Sequence, residues 1–291
     1  MELQILQQIF SGIAIGSIYA LVAVGFILIY KATDVISFAQ GDIMMFGAFV
    51  AYTFLTFLHF PFILAILLTL AVMAVFGILI ERVVLRPLVG ESVLSMLMVT
   101  VGVGMVIRNV AGMIWGYDTY QFGGGITDVP VRFGELALSS VNLWIIGVTV
   151  AMIGALFYFF NKTKMGISME AASQNQLAAY LMGIGVKRVF SNIWALSAVV
   201  AAVGGILLAP IHFVNYNMGF IGLRAFPAAV LGGFGSIPGA IVGGIIIGVS
   251  ESLAGIFLPA GFKDIFAYII LILVLLIRPQ GIFGIAERKR V

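Results

Sequence analysis

Apolar positions along this chain fall in long unbroken runs rather than in the alternating or three-to-four spacing of a soluble fold. Runs near 8–30, 35–58, 61–80, 92–115, 141–160, 190–210, 223–236, 239–257 and 264–278 are separated by short stretches rich in Lys, Arg, Asp, Gly and Pro. A helix needs about 20 apolar residues to cross a hydrocarbon layer of ~30 Å, and runs of that length recur from end to end. Lipid offers the backbone no hydrogen bonds, so only helices or closed barrels span it; continuous runs select helices. The run at 223–236 is too short to cross alone and holds Pro227 and Gly232-Gly233, which predicts a broken or re-entrant element. The pattern predicts an all-α, polytopic transmembrane helical bundle, a single transmembrane domain over residues 1–291 with eight or nine crossings.

Composition strengthens this picture. Hydrophobic residues make up 62% of the chain and charged residues 9%, against roughly 25% charged in soluble domains; mean hydropathy is +1.19. A net charge of +3 comes from basic residues scattered between apolar runs, so nucleic acid is not an expected partner and the charges serve to orient the chain. Placing Lys31, Arg82, Arg86, Lys162, Lys164, Lys187, Arg188, Arg278, Arg288, Lys289 and Arg290 on the cytoplasmic side leaves Arg132, Arg224 and Lys263 outside and Arg108 within a span. This asymmetry predicts a cytoplasmic C-terminus and, with nine crossings, an external N-terminus. Residues 1–9 lack Lys and Arg, so the first span is expected to stay as structure rather than be removed as a signal. The absence of Cys removes disulfides, thiolate metal ligands and cysteine nucleophiles.

Two loops are long enough for more than connection. Residues 116–140, external on this topology, hold Gly123-Gly124-Gly125, Pro130, Asp118, Asp128 and Glu135; they suit a turn-rich surface, either a solvated linker or a contact for an external partner. Residues 161–189 are internal, and 168–182 read as one short amphipathic helix with Met169, Ala172, Leu177, Tyr180 and Leu181 on its apolar stripe. Ser168 is the expected N-cap, Glu170 lies near the positive helix end, and Gly183 and Gly185 supply the stop. Such a helix either rests on lipid or docks into a groove of a soluble partner. None of the lysines follows a glycine, so the chain has no G-x-x-x-x-G-K-[ST] loop, and any ATP is hydrolysed elsewhere.

Polar residues inside the apolar runs are the other candidates. Gln40 and Asp42 interrupt the second run, Arg108 and Asn109 the fourth, and Glu251 the eighth. Intramembrane charges face a polar cavity or pair with one another, so these residues either line a pathway or form buried pairs, Arg108 with Asp42 or with Glu251; the alternatives are that Asp42 sits near an interface and that Arg108 snorkels towards the nearer surface. Glycines 12 and 16, then 235, 239 and 243, then 244 and 248, recur every four residues and are expected to pack helices closely. The isolated His59 and His212 make no metal or catalytic site, no HExxH or GxSxG motif is present, and no cofactor is expected.

Several segments carry a resemblance to a known family. These are GSIYALVAVGF at 16–26, VISFAQGDIMMFGA at 35–48, AAYLMGI at 178–184, AAVLGGFGSIPGAIVGG at 228–244 and RPQGIFG at 278–284. Together they resemble the H-type permeases of branched-chain amino acid ABC importers, within the hydrophobic amino acid uptake group, over nearly the whole chain. The resemblance implies a bacterial inner-membrane transport subunit without enzymatic activity of its own. Its implied partners are a second permease, two cytoplasmic ATP-binding subunits and a periplasmic substrate-binding protein. It also implies that 170–185 is the coupling segment, with Ser168, Glu170, Ala171, Gln174, Asn175, Ala178, Ala179, Leu181, Met182 and Gly183 on or beside the ATPase contact. Two alternatives stay open at this point: a urea or amide ABC permease, which resembles the group closely, and an ion-coupled secondary transporter or channel built on Asp42, Arg108 and Glu251.

Overall fold

A computed structural model of the chain describes residues 2–88, 90–122, 129–133, 136–259 and 261–284. Its helices are α1 (Glu2–Thr33), α2 (Gln40–Tyr52), α3 (Phe62–Ile80), α4 (Val93–Trp115), α5 (Ser140–Lys162), α6 (Lys164–Gln174), α7 (Gln176–Leu181), α8 (Val186–His212), α9 (Met218–Leu223), α10 (Ala225–Gly232), α11 (Ile237–Phe257) and α12 (Phe262–Ile277). A π-helical turn, Thr53–Phe57, extends α2; a second, Glu81–Leu85, and a 3-10 turn, Arg86–Leu88, extend α3. The fold is all-α apart from a small antiparallel hairpin, β1 (Pro130–Phe133) with β2 (Leu136–Ser139), in the loop expected to be turn-rich. Gly123-Gly124-Gly125, Asp128 and Glu135 of that loop lie outside the described residues, as do Arg288, Lys289 and Arg290.

Among the described residues six helical stretches are long and apolar enough to cross a membrane: Leu3–Thr33, Phe62–Leu88, Val93–Trp115, Ser140–Lys162, Val186–His212 and Ile237–Phe257. The other expected spans appear as shorter elements, namely α2 with its π turn, α9 with α10, and α12. The seventh begins earlier than its apolar run suggests, at Met218, and breaks at Arg224 rather than at the proline. Pro227 sits in the first turn of α10, where its missing N–H has no intrahelical partner to lose. Gly233, at φ +93°, ends the helix.

The first helix is apolar on every side, which in a folded chain means enclosure by protein or lipid all round. Protein encloses it: 94% of its apolar window is buried, against 17% in α4 and in α5, whose large apolar side chains face outward. Its neighbours are chiefly α11 and α8, with α5 and α10 beside them. Glycine allows the closest of these approaches. A Cβ at Gly12 would stand 2.7 Å from Val249 Cα, and one at Gly16 2.7 Å from the Gly244 carbonyl oxygen, so the α1 and α11 backbones meet with no side chain between them. Gly239 and Gly243 bring the other side of α11 against α10 at Gly232 and Ala228. The four-residue glycine spacing thus serves packing, except at Gly235, which faces open space.

Candidate functional site

Between α5 and α8 the chain turns through a pair of short helices. Thr163, not Ser168, caps α6, its Oγ1 accepting the Gly166 N–H at 3.0 Å. Ser168 lies inside α6 with its hydroxyl donated to the Lys164 carbonyl, and Glu170 lies past the first turn, too far along for the helix dipole to explain it. The single helix expected over 168–182 is broken at Asn175. That residue adopts an extended backbone (φ −156°, ψ 103°) and accepts the Ala178 N–H on Oδ1 at 2.9 Å, starting α7 afresh. An Asn side chain that bonds nearby backbone in this way competes with continued helix. α7 then closes as expected: Gly183 takes φ +83°, with Ile184 N–H donated to Ala179 O and Gly183 N–H to Tyr180 O.

The break redirects the apolar stripe. Met169 and Ala172 of α6 are buried and Ala171 is half-buried, while Gln174 and Asn175 are exposed. On α7 only Ala179 is buried; Ala178 is exposed, and Leu177, Tyr180, Leu181 and Met182 project outward, the last two 74% and 83% exposed. The helix pair is tied to the end of α1. Lys31 Nζ donates to both Glu170 oxygens at 3.1 and 3.0 Å, and Gln176 Nε2 donates to the Ala32 carbonyl at 3.3 Å.

The interior charges are paired. Asp42 Oδ1 accepts from Arg108 Nε at 2.9 Å and Nη2 at 2.8 Å, and the guanidinium carbon lies 3.8 Å from the Phe220 ring centroid, so α2, α4 and α9 meet there. Glu251 does not reach Arg108; it accepts from Tyr19 Oη at 2.8 Å and from Arg224 Nη1 at 3.1 Å. Arg224, expected as an outer loop charge, stands at the α9–α10 break and joins it to α11. Gln40 donates to the Ser197 carbonyl at 3.3 Å, and Ser197 Oγ lies 3.0 Å from the Gly25 carbonyl oxygen, locking α2 to α8 and α1. Asn109 joins none of these groups: it is exposed and donates back to Met105 O.

Sequence reasoning missed a further pair. Buried Glu81 takes a two-pronged contact from Arg86 at 3.0 and 2.8 Å and a bond from Ser191 Oγ at 2.8 Å. Its signal was the five-residue spacing, which a π turn, with its i to i+5 bonds, brings onto one face. Among the described residues no group of three or more His, Asp or Glu gathers as a metal site.

Apolar helices with paired interior charges, and an exposed apolar helix pair on one face, define a multi-pass helical membrane protein with a surface suited to another protein. Over residues 8–275 the chain matches the family described as branched-chain amino acid transport system / permease component, and it belongs to that family of transport subunits. It is 34% identical to the high-affinity branched-chain amino acid transport system permease protein LivH of Salmonella typhimurium, covering 99% of this chain and 98% of that one. It is 33% identical to the corresponding protein BraD of Pseudomonas aeruginosa, with 98% of each covered. PsaBC from Streptococcus pneumoniae in complex with Fab shares the fold, at TM-score 0.50 and 16% identity over 96% of this chain and 93% of that chain.

Proposed function

We propose that this chain is the membrane-spanning subunit of an importer that moves branched-chain or related small amino acids into the cytoplasm, driven by ATP hydrolysis on separate subunits. The observation that carries this reading is the helix pair α6–α7, which presents Leu177, Tyr180, Leu181 and Met182 outward while fastened to the enclosed helix α1 through Lys31 and Gln176. Full-length similarity to branched-chain amino acid permeases supports the substrate class over urea, amides or an ion-coupled carrier. The complex completes with a second permease, two cytoplasmic ATP-binding subunits and a periplasmic binding protein, in a bacterial inner membrane.

The orientation puts α6–α7 and the C-terminus in the cytoplasm, with nine crossings. Three of these are the shorter elements: α2 with its π turn, α9–α10, and α12. Lys31, Arg86, Lys162, Lys187 and Arg278, at helix ends that this path brings to one face, support the arrangement. A loaded binding protein docks on the opposite face. ATP binding draws the ATPases together, they displace α6–α7, and the motion enters the bundle at the end of α1. Asp42–Arg108 and Glu251–Arg224 act as pins that hold the broken helix α9–α10 in register during that motion, rather than as substrate ligands; each carboxylate is already paired with an arginine.

The test is uptake of labelled leucine, a second neutral amino acid and urea by vesicles holding the assembled complex, with and without ATP. ATP-dependent leucine uptake that disappears when residues 170–185 are replaced by a Gly/Ser linker is the expected result. Equal transport by the chain alone overturns the coupled mechanism, and urea uptake without leucine uptake overturns the substrate class.

A further inference from the structure

A groove of about 410 Å³ runs between the start of α6 and the start of α8. Lys164 and Ser168 line one side of it, Arg188 and Val189 the other, and the turn 183–185 closes one end. Asn192 Nδ2, on α8, donates to Met165 Sδ at 3.4 Å, which holds the two helices side by side. The groove stands at the edge of the membrane body. α5, which ends at Lys162 just before α6, and α8, which begins at Val186, are both long apolar stretches able to cross a bilayer. Arg188 and Val189 belong to the first turn of α8, so the groove lies within about 5 Å of where that stretch begins.

The charge of the groove is unbalanced. Lys164 and Arg188 are exposed, and among the described residues neither side chain makes an ion pair or a hydrogen bond. No acidic residue is in the lining, and Glu170, the only Asp or Glu between 161 and 189, is bound to Lys31. The Ser168 hydroxyl is donated to the Lys164 carbonyl, and no side chain caps α8, so the free donors here are the two cations and the open first turn of α8. Orienting the chain asks only that Lys and Arg stand at the cytoplasmic ends of spans. It does not ask that one from α6 and one from α8 line a single groove without a counter-charge. Beside them Ile167 is 56% exposed, so an apolar side chain adjoins the cationic groove.

We propose that this groove holds the phosphodiester headgroup of an anionic phospholipid, its oxygens taken by Lys164 and Arg188, with the lipid body beside Ile167. Basic pockets at the ends of membrane helices take such headgroups. The level of the groove, at the start of an apolar span, selects a lipid over a soluble anion, while the large apolar residues offered to a protein partner stand on α7. A headgroup held in this way bridges α6, which carries Glu170, to α8. It therefore stiffens the element through which the coupling motion enters the bundle, a consequence that rests on the importer reading.

The test is titration of the purified complex in detergent with phosphatidylglycerol and, separately, with phosphatidylcholine, the bound lipid counted by native mass spectrometry. The expected result is a phosphatidylglycerol site that phosphatidylcholine does not fill. It is weakened about fivefold by Lys164→Gln or by Arg188→Gln and about thirtyfold by both together, and it is kept when Lys164→Arg and Arg188→Lys are combined. The single variants carry the comparison where the double one does not assemble. Equal binding in all these proteins, or loss in the charge-retaining pair, overturns the proposal. Inorganic phosphate that displaces the lipid from this site at equal concentration assigns the groove to a soluble anion and overturns it. Release of the ATP-binding subunits by the double Gln variant, with lipid binding unchanged, assigns the groove to protein and overturns it as well. In phosphatidylcholine vesicles, added phosphatidylglycerol should raise ATP-driven leucine uptake severalfold in the unaltered complex and not in the double Gln variant; uptake indifferent to the lipid in the unaltered complex refutes the stiffening. Uptake that needs no ATP in any lipid mixture marks failure of the importer reading, and the binding titration still judges the groove by itself.

Discussion

The tie between Lys31 and Glu170 gives the sharpest test of how motion enters the membrane body. Their charged atoms lie 3.0 Å apart, with the side chains 24% and 44% exposed, so water screens the pair and it contributes little to stability. Pairs of this kind are worth about 0.2–1 kcal/mol. Reversing one charge removes that attraction and sets two like charges at a similar separation, where the repulsion in water is about 1 kcal/mol. The total change of about 1–2 kcal/mol corresponds to a factor of roughly 5–30 in the balance between attached and detached helix pair. Lys31→Glu and Glu170→Lys should each lower leucine uptake per ATP hydrolysed by a factor in that range, while ATPase subunits remain bound. The double reversal restores the attraction and should return the ratio to near that of the unaltered complex. Reconstituted vesicles with uptake and phosphate release measured together provide the assay, and raising ionic strength should shrink the differences. A double reversal as impaired as the single ones, or single reversals without effect, would refute the pair as the transmitting contact.

Gly16→Ala forces a Cβ to within 2.7 Å of the Gly244 carbonyl oxygen, an overpacking that costs about 1–3 kcal/mol, whereas Gly102→Ala and Gly147→Ala meet nothing within 4 Å; thermal unfolding followed by size-exclusion should show the first alone lowering the midpoint. Asp42→Asn leaves Arg108 without its counter-charge in the interior, a loss of about 3–5 kcal/mol, and should reduce the yield of folded complex; Asp42→Asn combined with Arg108→Gln should recover part of it. Because the chain has no cysteine, single thiols introduced as Ser92→Cys and Asp118→Cys can be labelled in intact cells without background. The reagent confined to the outside should reach the second and not the first, and the reverse pattern would invert the proposed topology.

Much of the fold was legible because the bilayer imposes it: runs of about 20 apolar residues can do little but cross, and α3, α4, α5, α8 and α11 follow their runs to within a few residues, while α1 begins at Glu2, ahead of its run at 8–30. The glycine spacing likewise named the close helix faces before any partner was known. Besides the Glu81–Arg86 pair, three features escaped. The break at Asn175 is a contest between one side chain and the helix, which an apolar stripe does not register. The partner of Glu251 required knowing that α9–α10 folds back along α11, so that residues 224 and 251, and 19 and 251, meet; along the chain Arg224 looks like any loop cation. The hairpin in the α4–α5 loop is short and stands among glycines, with too few alternating positions to stand out.

Enclosure of α1 by α8 and α11 constrains how the molecule is made. α1 leaves the ribosome long before its principal neighbours, α8 and then α11, have been synthesised. Until α11 enters the bilayer, Gly12 and Gly16 present a bare notch to lipid, and nascent chains stopped before residue 237 should expose it. Contacts between such distant segments form slowly. During that interval the notch can accept a small-residue face of a foreign helix, so the window between synthesis of α1 and of α11 is when this subunit is most open to mispairing.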